Sequence, residues 1–160
     1  MNNAEFQSDD PDHYSRSFAY FMNAVKPKYA IPFASNHCHL HKDVFHFNNL
    51  INDALTRLPV DSSLIYLAGF SGGAKVAISA AKQNAVVSAV IYAGAATPLD
   101  NSNHSFTLLG FAGRNDMNYT SLIGFDKNIS SEFRHYLIEW NGKHEWPDST
   151  AMPDAFYYIA

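Results

Sequence analysis

The sequence predicts an α/β fold, a three-layer sandwich built on a mostly parallel sheet of about five strands. Two observations carry that expectation. Short apolar runs rich in β-branched and aromatic residues alternate with stretches patterned for helix, as a parallel sheet with crossover helices requires. The composition agrees, since 160 residues, 47% hydrophobic and 16% charged, suit one globular domain over residues 1–160 and exclude a disordered chain.

Taken in order, the first helix is expected at about Ser15 to Val25, followed by a strand over Tyr29 to Ala34. Pro32 cannot donate to a sheet ladder, so that strand belongs at an edge. From Phe47 to Leu58, the residues Phe47, Leu50, Ile51, Leu55 and Leu58 fall on one face at helical spacing and predict a helix packed on the sheet. Strands are then expected at Ser63 to Ala68, Val86 to Tyr92, Phe106 to Phe111 and Arg134 to Trp140. Helices at about Gly73 to Gln83 and Tyr119 to Glu132 lie between them. The last residues, from Pro153, open like a helix with proline at its first position and stop after about two turns. Met1 to Pro11 are polar and acidic and hold no buried strand, so the chain reads as cut from something longer at one end or both.

Charge and cysteine content exclude several classes. Eleven Lys plus Arg against 15 Asp plus Glu give a net charge of −4, which argues against a nucleic-acid partner that needs a basic face. A single cysteine, Cys38, excludes an internal disulfide framework. The longest apolar stretch, around Ala85 to Leu99, is interrupted by Ser88 and Tyr92 and falls short of the roughly 18 residues a membrane span needs. The polar start Met1-Asn2-Asn3-Ala4-Glu5 is no secretory signal. The compartment stays open between cytoplasmic and, if an upstream signal was removed, exported. Sequons at Asn103, Asn118 and Asn128 are what so Asn-rich a chain produces by chance.

The strongest chemical signal is Gly69-Phe70-Ser71-Gly72-Gly73, a G-x-S-x-G sequence between an expected strand and an expected helix. A serine on so tight a turn is held in a strained backbone conformation, and Gly69 and Gly73 leave it room. The turn lifts the Ser71 hydroxyl above the sheet edge and aims the Gly72 N–H, at a helix N-terminus, toward a developing oxyanion. The plainer alternative is a turn in which Ser71 caps the helix.

Serine needs a general base, itself oriented by a carboxylate. In a parallel sheet these belong in loops at the carboxyl ends of later strands. Asp116 stands in the loop after Phe106 to Phe111, and His144 in the loop after Arg134 to Trp140. The order is Ser71, Asp116, His144. Asp126, Asp100, Glu145, Asp148 and Asp154 are weaker candidates for the acid, by their places in a helix, before a strand, beside His144 or after it. The alternative for Asp116 is a loop Asx-turn or a helix cap.

With these motifs in hand, the chain resembles the alpha/beta hydrolase superfamily, in particular dienelactone-hydrolase-like and polyhydroxyalkanoate-depolymerase-like serine esterases. The resemblance rests on the Ser71 motif, the Gly113-x-x-Asp116-x-Asn118-Tyr119 loop and Gly142-Lys143-His144-Glu145-Trp146-Pro147, and covers roughly residues 28 to 160. It implies Ser71 as nucleophile, His144 as general base and then acid, Asp116 as the orienting carboxylate and Gly72 as an oxyanion donor. It implies no metal and no organic cofactor. It departs from the family at the N-terminus, where the usual strands are lacking and the segment Phe6 to Tyr14, in the place of the second oxyanion donor, contains no glycine.

Asn36-His37-Cys38-His39-Leu40-His41, with Asp43 and His46, forms a second constellation. In an extended segment His37, His39 and His41 would share a face, and imidazoles with Cys38 suit zinc or copper. No known site has this spacing, so a polar loop at the catalytic edge is the expectation. Phe70, Tyr119 and Trp146 are expected beside the triad, as pocket lining or core, and Lys75 is expected to face solvent. The whole reads as a serine hydrolase, a carboxylic ester hydrolase with a small-molecule or polymeric ester as substrate. The alternative is a non-catalytic module of the same fold that binds a ligand or a partner chain.

Overall fold

The computed structural model describes residues 40–100, 104–148, 151–152 and 157–158. Seven elements follow one another there: α1 (Leu40–Arg57), β1 (Ile65–Phe70), α2 (Gly72–Ala81), β2 (Val87–Ala93), β3 (Thr107–Gly113), α3 (Tyr119–Lys127) and β4 (His135–Trp140). The strands form one parallel sheet in the order β1-β2-β3-β4. Every strand therefore ends on the same edge, and each turn leaving that edge can contribute to one site.

Strands β2 and β3 are buried on both faces, which is why they read as predominantly apolar runs with little alternation. Val90, Tyr92 and Leu108 join residues of all three helices, including Ile51, Ile78 and Leu122, in one cluster. Ile91, Ala93, Leu109 and Phe111 point to the opposite face and pack with Ala151, Met152, Trp140 and Trp146. Each large apolar side chain so enclosed contributes about 1.5–3 kcal/mol. The α1 stripe holds, with Ile51 buried and Phe47 and Leu55 packed against the helix-side cluster.

Four of the five expected strands are present. The strand expected at Tyr29 to Ala34, the helix at Ser15 to Val25 and the helix opening at Pro153 fall outside the described residues. Two boundaries differ in an informative way. Helix α1 begins at Leu40, seven residues before the expected Phe47, because the helical pattern continues through a polar segment that the sequence reads as loop. Helix α3 ends at Lys127 rather than Glu132, where Asn128 turns its side-chain amide back to the Gly124 carbonyl (2.7 Å).

The crossover from β2 to β3 forms no helix among its described residues, 94–100 and 104–106. It is fastened beside the end of α2. Lys82 Nζ donates to the Pro98 carbonyl (3.2 Å) and pairs with Asp100 (3.1 Å), whose other oxygen meets His104 Nε2 at 2.9 Å.

Candidate active site

Ser71 leaves β1 with φ 52° and ψ −118° and is the one non-glycine residue at positive φ among those described. Such a conformation costs about 1–3 kcal/mol and persists only where the surroundings enforce it. Here they do. The Ser71 N–H donates to the Ala93 carbonyl (2.8 Å), while its own carbonyl accepts the N–H of Ala74 (3.1 Å) at the start of α2. A Cβ on Gly69 would stand 2.3 Å from the Gly73 carbonyl oxygen, so the strand and the helix close on each other only over glycine. Gly73 needs no such exemption on its own account, since a Cβ there meets nothing within 4 Å; its backbone is what Gly69 must clear.

The Ser71 side chain makes no capping hydrogen bond to α2, which sets aside the helix-cap alternative for its hydroxyl. Ser71 Oγ lies instead 3.0 Å from His144 Nε2. His144 Nδ1 lies 3.0 and 3.1 Å from the two oxygens of Asp116. A carboxylate accepts only, so Nδ1 carries the proton and Nε2 is left to accept from the serine hydroxyl.

The Asp116 side chain is 1% exposed, and burial of an unpaired carboxylate is costly. Its oxygen Oδ1 also accepts the Asn118 N–H (2.8 Å). The Asx-turn considered as an alternative is thus present and coexists with the contact to His144. The acid and histidine loops are joined directly, as the N–H groups of Arg114 and Asn115 donate to the carbonyls of Trp140 and Gly142 (2.9 Å each).

One residue of the arrangement, Gly94, has no sequence motif of its own, and Asn118 of the Asp116 loop acts through it. Gly94 leaves β2 at φ +73°, and a Cβ there would stand 2.8 Å from Phe70 Cε2 and 2.9 Å from His144 Cε1. The imidazole therefore rests on bare backbone. Asn118 Nδ2 donates to the Gly94 carbonyl (2.7 Å), fastening that support to the loop that carries Asp116. The signal that points to Gly94 is positional, because it follows the C-terminal end of β2 as Ser71 follows β1.

Of the aromatic residues, Phe70 packs on the His144 ring with centroids 4.8 Å apart, and Trp146 backs Phe70 at 5.9 Å. Tyr119 turns away and donates to Glu139 (2.6 Å), whose carboxylate raises the phenol pKa above its ordinary value. The other carboxylates are engaged elsewhere. Asp126 faces His135 (3.6 Å), Asp100 faces Lys82 and His104, Glu145 accepts the Lys143 N–H (3.1 Å), and Asp148 accepts the Ala151 N–H (3.3 Å). Asp154 lies outside the described residues, as do His37, Cys38, His39 and the Phe6 to Tyr14 segment. His41, Asp43 and His46 belong to α1, so the extended alternation does not apply to them. Among the described residues no three His, Cys, Asp or Glu side chains gather as a metal site, and no helix is long and apolar enough to cross a membrane.

No family model matches the sequence, and no curated protein matches it significantly. Solved structures do match. An alpha-beta serine hydrolase homologue from Coxiella burnetii superposes with a TM-score of 0.59 at 15% identity, over 90% of this chain and 74% of its own. A predicted CIB-like hydrolase from Thermoplasma acidophilum gives 0.57 at 19% identity, over 91% and 77%. A protein described as a dienelactone hydrolase, from Klebsiella pneumoniae subsp. pneumoniae, gives 0.50 at 14% identity, over 72% and 56%. At such identities the likeness is one of architecture, and it agrees with the parallel sheet and the sharp strand-to-helix turn described above: the chain has the alpha/beta hydrolase fold.

Proposed function

We propose that this chain is a serine hydrolase that cleaves carboxylic esters through an acyl-enzyme. The observation that carries the reading is the hydrogen-bonded line from Ser71 Oγ through both His144 nitrogens to Asp116, with the serine held at positive φ. His144 Nε2 takes the hydroxyl proton as Ser71 Oγ bonds to the ester carbonyl carbon, and the carbonyl electron pair moves onto oxygen. The Gly72 N–H, at the start of α2, faces that oxyanion. Collapse of the intermediate breaks the bond to the alcohol oxygen, which leaves with the proton from His144. Water then repeats the sequence on the acyl-enzyme and releases the acid, and Asp116 holds the Nδ1 proton throughout. No cofactor takes part in these steps. Thioesters and peptides use the same atoms, so the ester is the simplest member of the substrate class rather than its limit.

Treatment of the folded protein with a fluorophosphonate, followed by peptide mapping, tests the assignment. The expected result is one adduct, on Ser71, absent from Ser71→Ala, together with hydrolysis of p-nitrophenyl acetate. A folded protein that takes no label at Ser71 refutes the nucleophile. Labelling without turnover favours instead the non-catalytic binding module.

A further inference from the structure

We infer that the cleft between α3 and the crossover leaving β2, with Lys75 of α2 at its side, is the subsite for one arm of the ester, and that it selects an apolar arm bearing a carboxylate or similar anion, with the Lys75 ammonium as charge partner. The inference rests on the esterase reading and names its substrate class.

The cleft has a volume of about 520 Å³. Its upper end lies at the catalytic edge of the sheet. Ala95 follows Gly94, on which His144 rests; Asn118 holds the Gly94 carbonyl; and Lys75 stands one helical turn beyond Ser71. From there the cleft extends between the crossover and α3 to Leu99, Phe125 and Ile129. Ala95, Ala96, Pro98 and Leu99 of the crossover form one wall.

Its chemistry is asymmetric. Its lining is apolar along Leu99, Leu122, Phe125 and Ile129 and neutral polar at Asn118, Ser121 and Asn128; the one charged side chain is Lys75, and no carboxylate lines it among the described residues. Lys75 makes no ion pair among those residues. An exposed lysine lays its aliphatic stem along apolar surface and keeps the ammonium at the rim. A neutral chain would satisfy the floor and leave that ammonium unused, whereas a chain carrying an anion satisfies both.

Gly124 is an independent observation. A glycine inside a helix is destabilising relative to alanine. Neither packing nor backbone excludes a side chain at this position, since a Cβ would meet nothing within 4 Å. What its absence does is widen the cleft, whose wall Gly124 forms.

The experiment compares three substrates: p-nitrophenyl acetate, p-nitrophenyl hexanoate and the adipate mono-p-nitrophenyl ester, which matches the hexanoate in length and adds a carboxylate. The wild type is expected to favour the adipate over the hexanoate in kcat/KM by roughly three- to tenfold at low salt, with the preference narrowing as salt rises. Lys75→Met brings the adipate and the hexanoate to equal kcat/KM at every salt concentration. Gly124→Leu, which fills the cleft and raises helix propensity, lowers kcat/KM for both six-carbon esters at least about tenfold relative to the acetate. A preference that survives Lys75→Met, an adipate that is never preferred, or six-carbon esters indifferent to Gly124→Leu overturns the subsite while acetate hydrolysis keeps the esterase reading intact. Absence of both fluorophosphonate labelling and acetate hydrolysis overturns the esterase reading, and the subsite with it.

Discussion

Replacing Gly94 by alanine puts the geometry of the site to a quantitative test. The added methyl would stand 2.9 Å from His144 Cε1 and 2.8 Å from Phe70 Cε2, where ordinary contact begins at 3.4 Å. His144 must therefore retreat about 0.5 Å, and Cε1 is the carbon between the two ring nitrogens, so a push on it displaces both hydrogen bonds together. The 3.0 Å contact to Ser71 opens toward 3.5 Å, at which a proton acceptor is no longer in place. A positioned base is worth 10²- to 10⁴-fold, so we expect kcat for p-nitrophenyl acetate to fall about a hundredfold. The φ of +73° adds a backbone cost of about 1–2 kcal/mol and the crowding a further 1–3 kcal/mol. Urea unfolding followed by circular dichroism measures the second effect and fixes the folded fraction for the first. A folded Gly94→Ala protein with kcat within threefold of the wild type refutes the claim that Gly94 sets the imidazole.

Relief of the strained turn gives the opposite trade. Ser71→Gly removes the positive-φ penalty together with the hydroxyl, and its unfolding free energy is expected to rise by about 1 kcal/mol while fluorophosphonate labelling vanishes. The buried Tyr92 gives a pH dependence. Burial, with the Asp126 carboxylate in reach, pushes its phenol well above the ordinary range, so the folded state keeps a proton that the unfolded chain loses above about pH 10. Stability contributed by that proton is complete below pH 10 and declines as the pH rises further. Tyr92→Phe is expected to leave stability at pH 7 within about 1 kcal/mol, the hydroxyl having no hydrogen-bond partner among the described residues, and to flatten the alkaline loss in denaturation curves at pH 9 and 11.

The parts of this molecule that could be read from its sequence are those dictated by neighbours in the chain. Val87 to Ala93 and Thr107 to Gly113 are predominantly apolar because both of their faces are buried, and their shortness and β-branched and aromatic content mark them as strands rather than buried helix. Once such strands are recognised, the loops that follow them fall on one edge, which places Ser71, Asp116 and His144 together without any knowledge of the packing. Gly94 eluded that reasoning because one glycine after Tyr92 and Ala93 has no pattern of its own. Its meaning lies in a ring 50 residues onward and in the Asn118 amide, contacts that only the fold brings about. Helix α1 was under-read for a different reason. Its first turns carry His41, Asp43 and His46, residues of low helix propensity, and although Leu40 and Val44 carry the apolar stripe back from Phe47, the histidines between them read as a polar loop. Gly124 reads in sequence as a weak point of a helix, and only the open volume beside it gives that weakness a use.

Ser71 and His144 are separated by 73 positions in the chain and by 3.0 Å in space. Closing a loop of that length costs about 4 kcal/mol in chain entropy, against a net gain of about 1 kcal/mol from a hydrogen bond. The contact cannot hold itself together. It exists because β1 pairs with β2, β2 with β3 and β3 with β4, and the loss of any one pairing separates the hydroxyl from the imidazole. On the proposed serine-hydrolase reading, labelling of Ser71 by fluorophosphonate becomes a reporter of the entire sheet: in refolding it should return with the docking of β4 and no sooner, and a chain that has merely collapsed should be inert however much helix it holds.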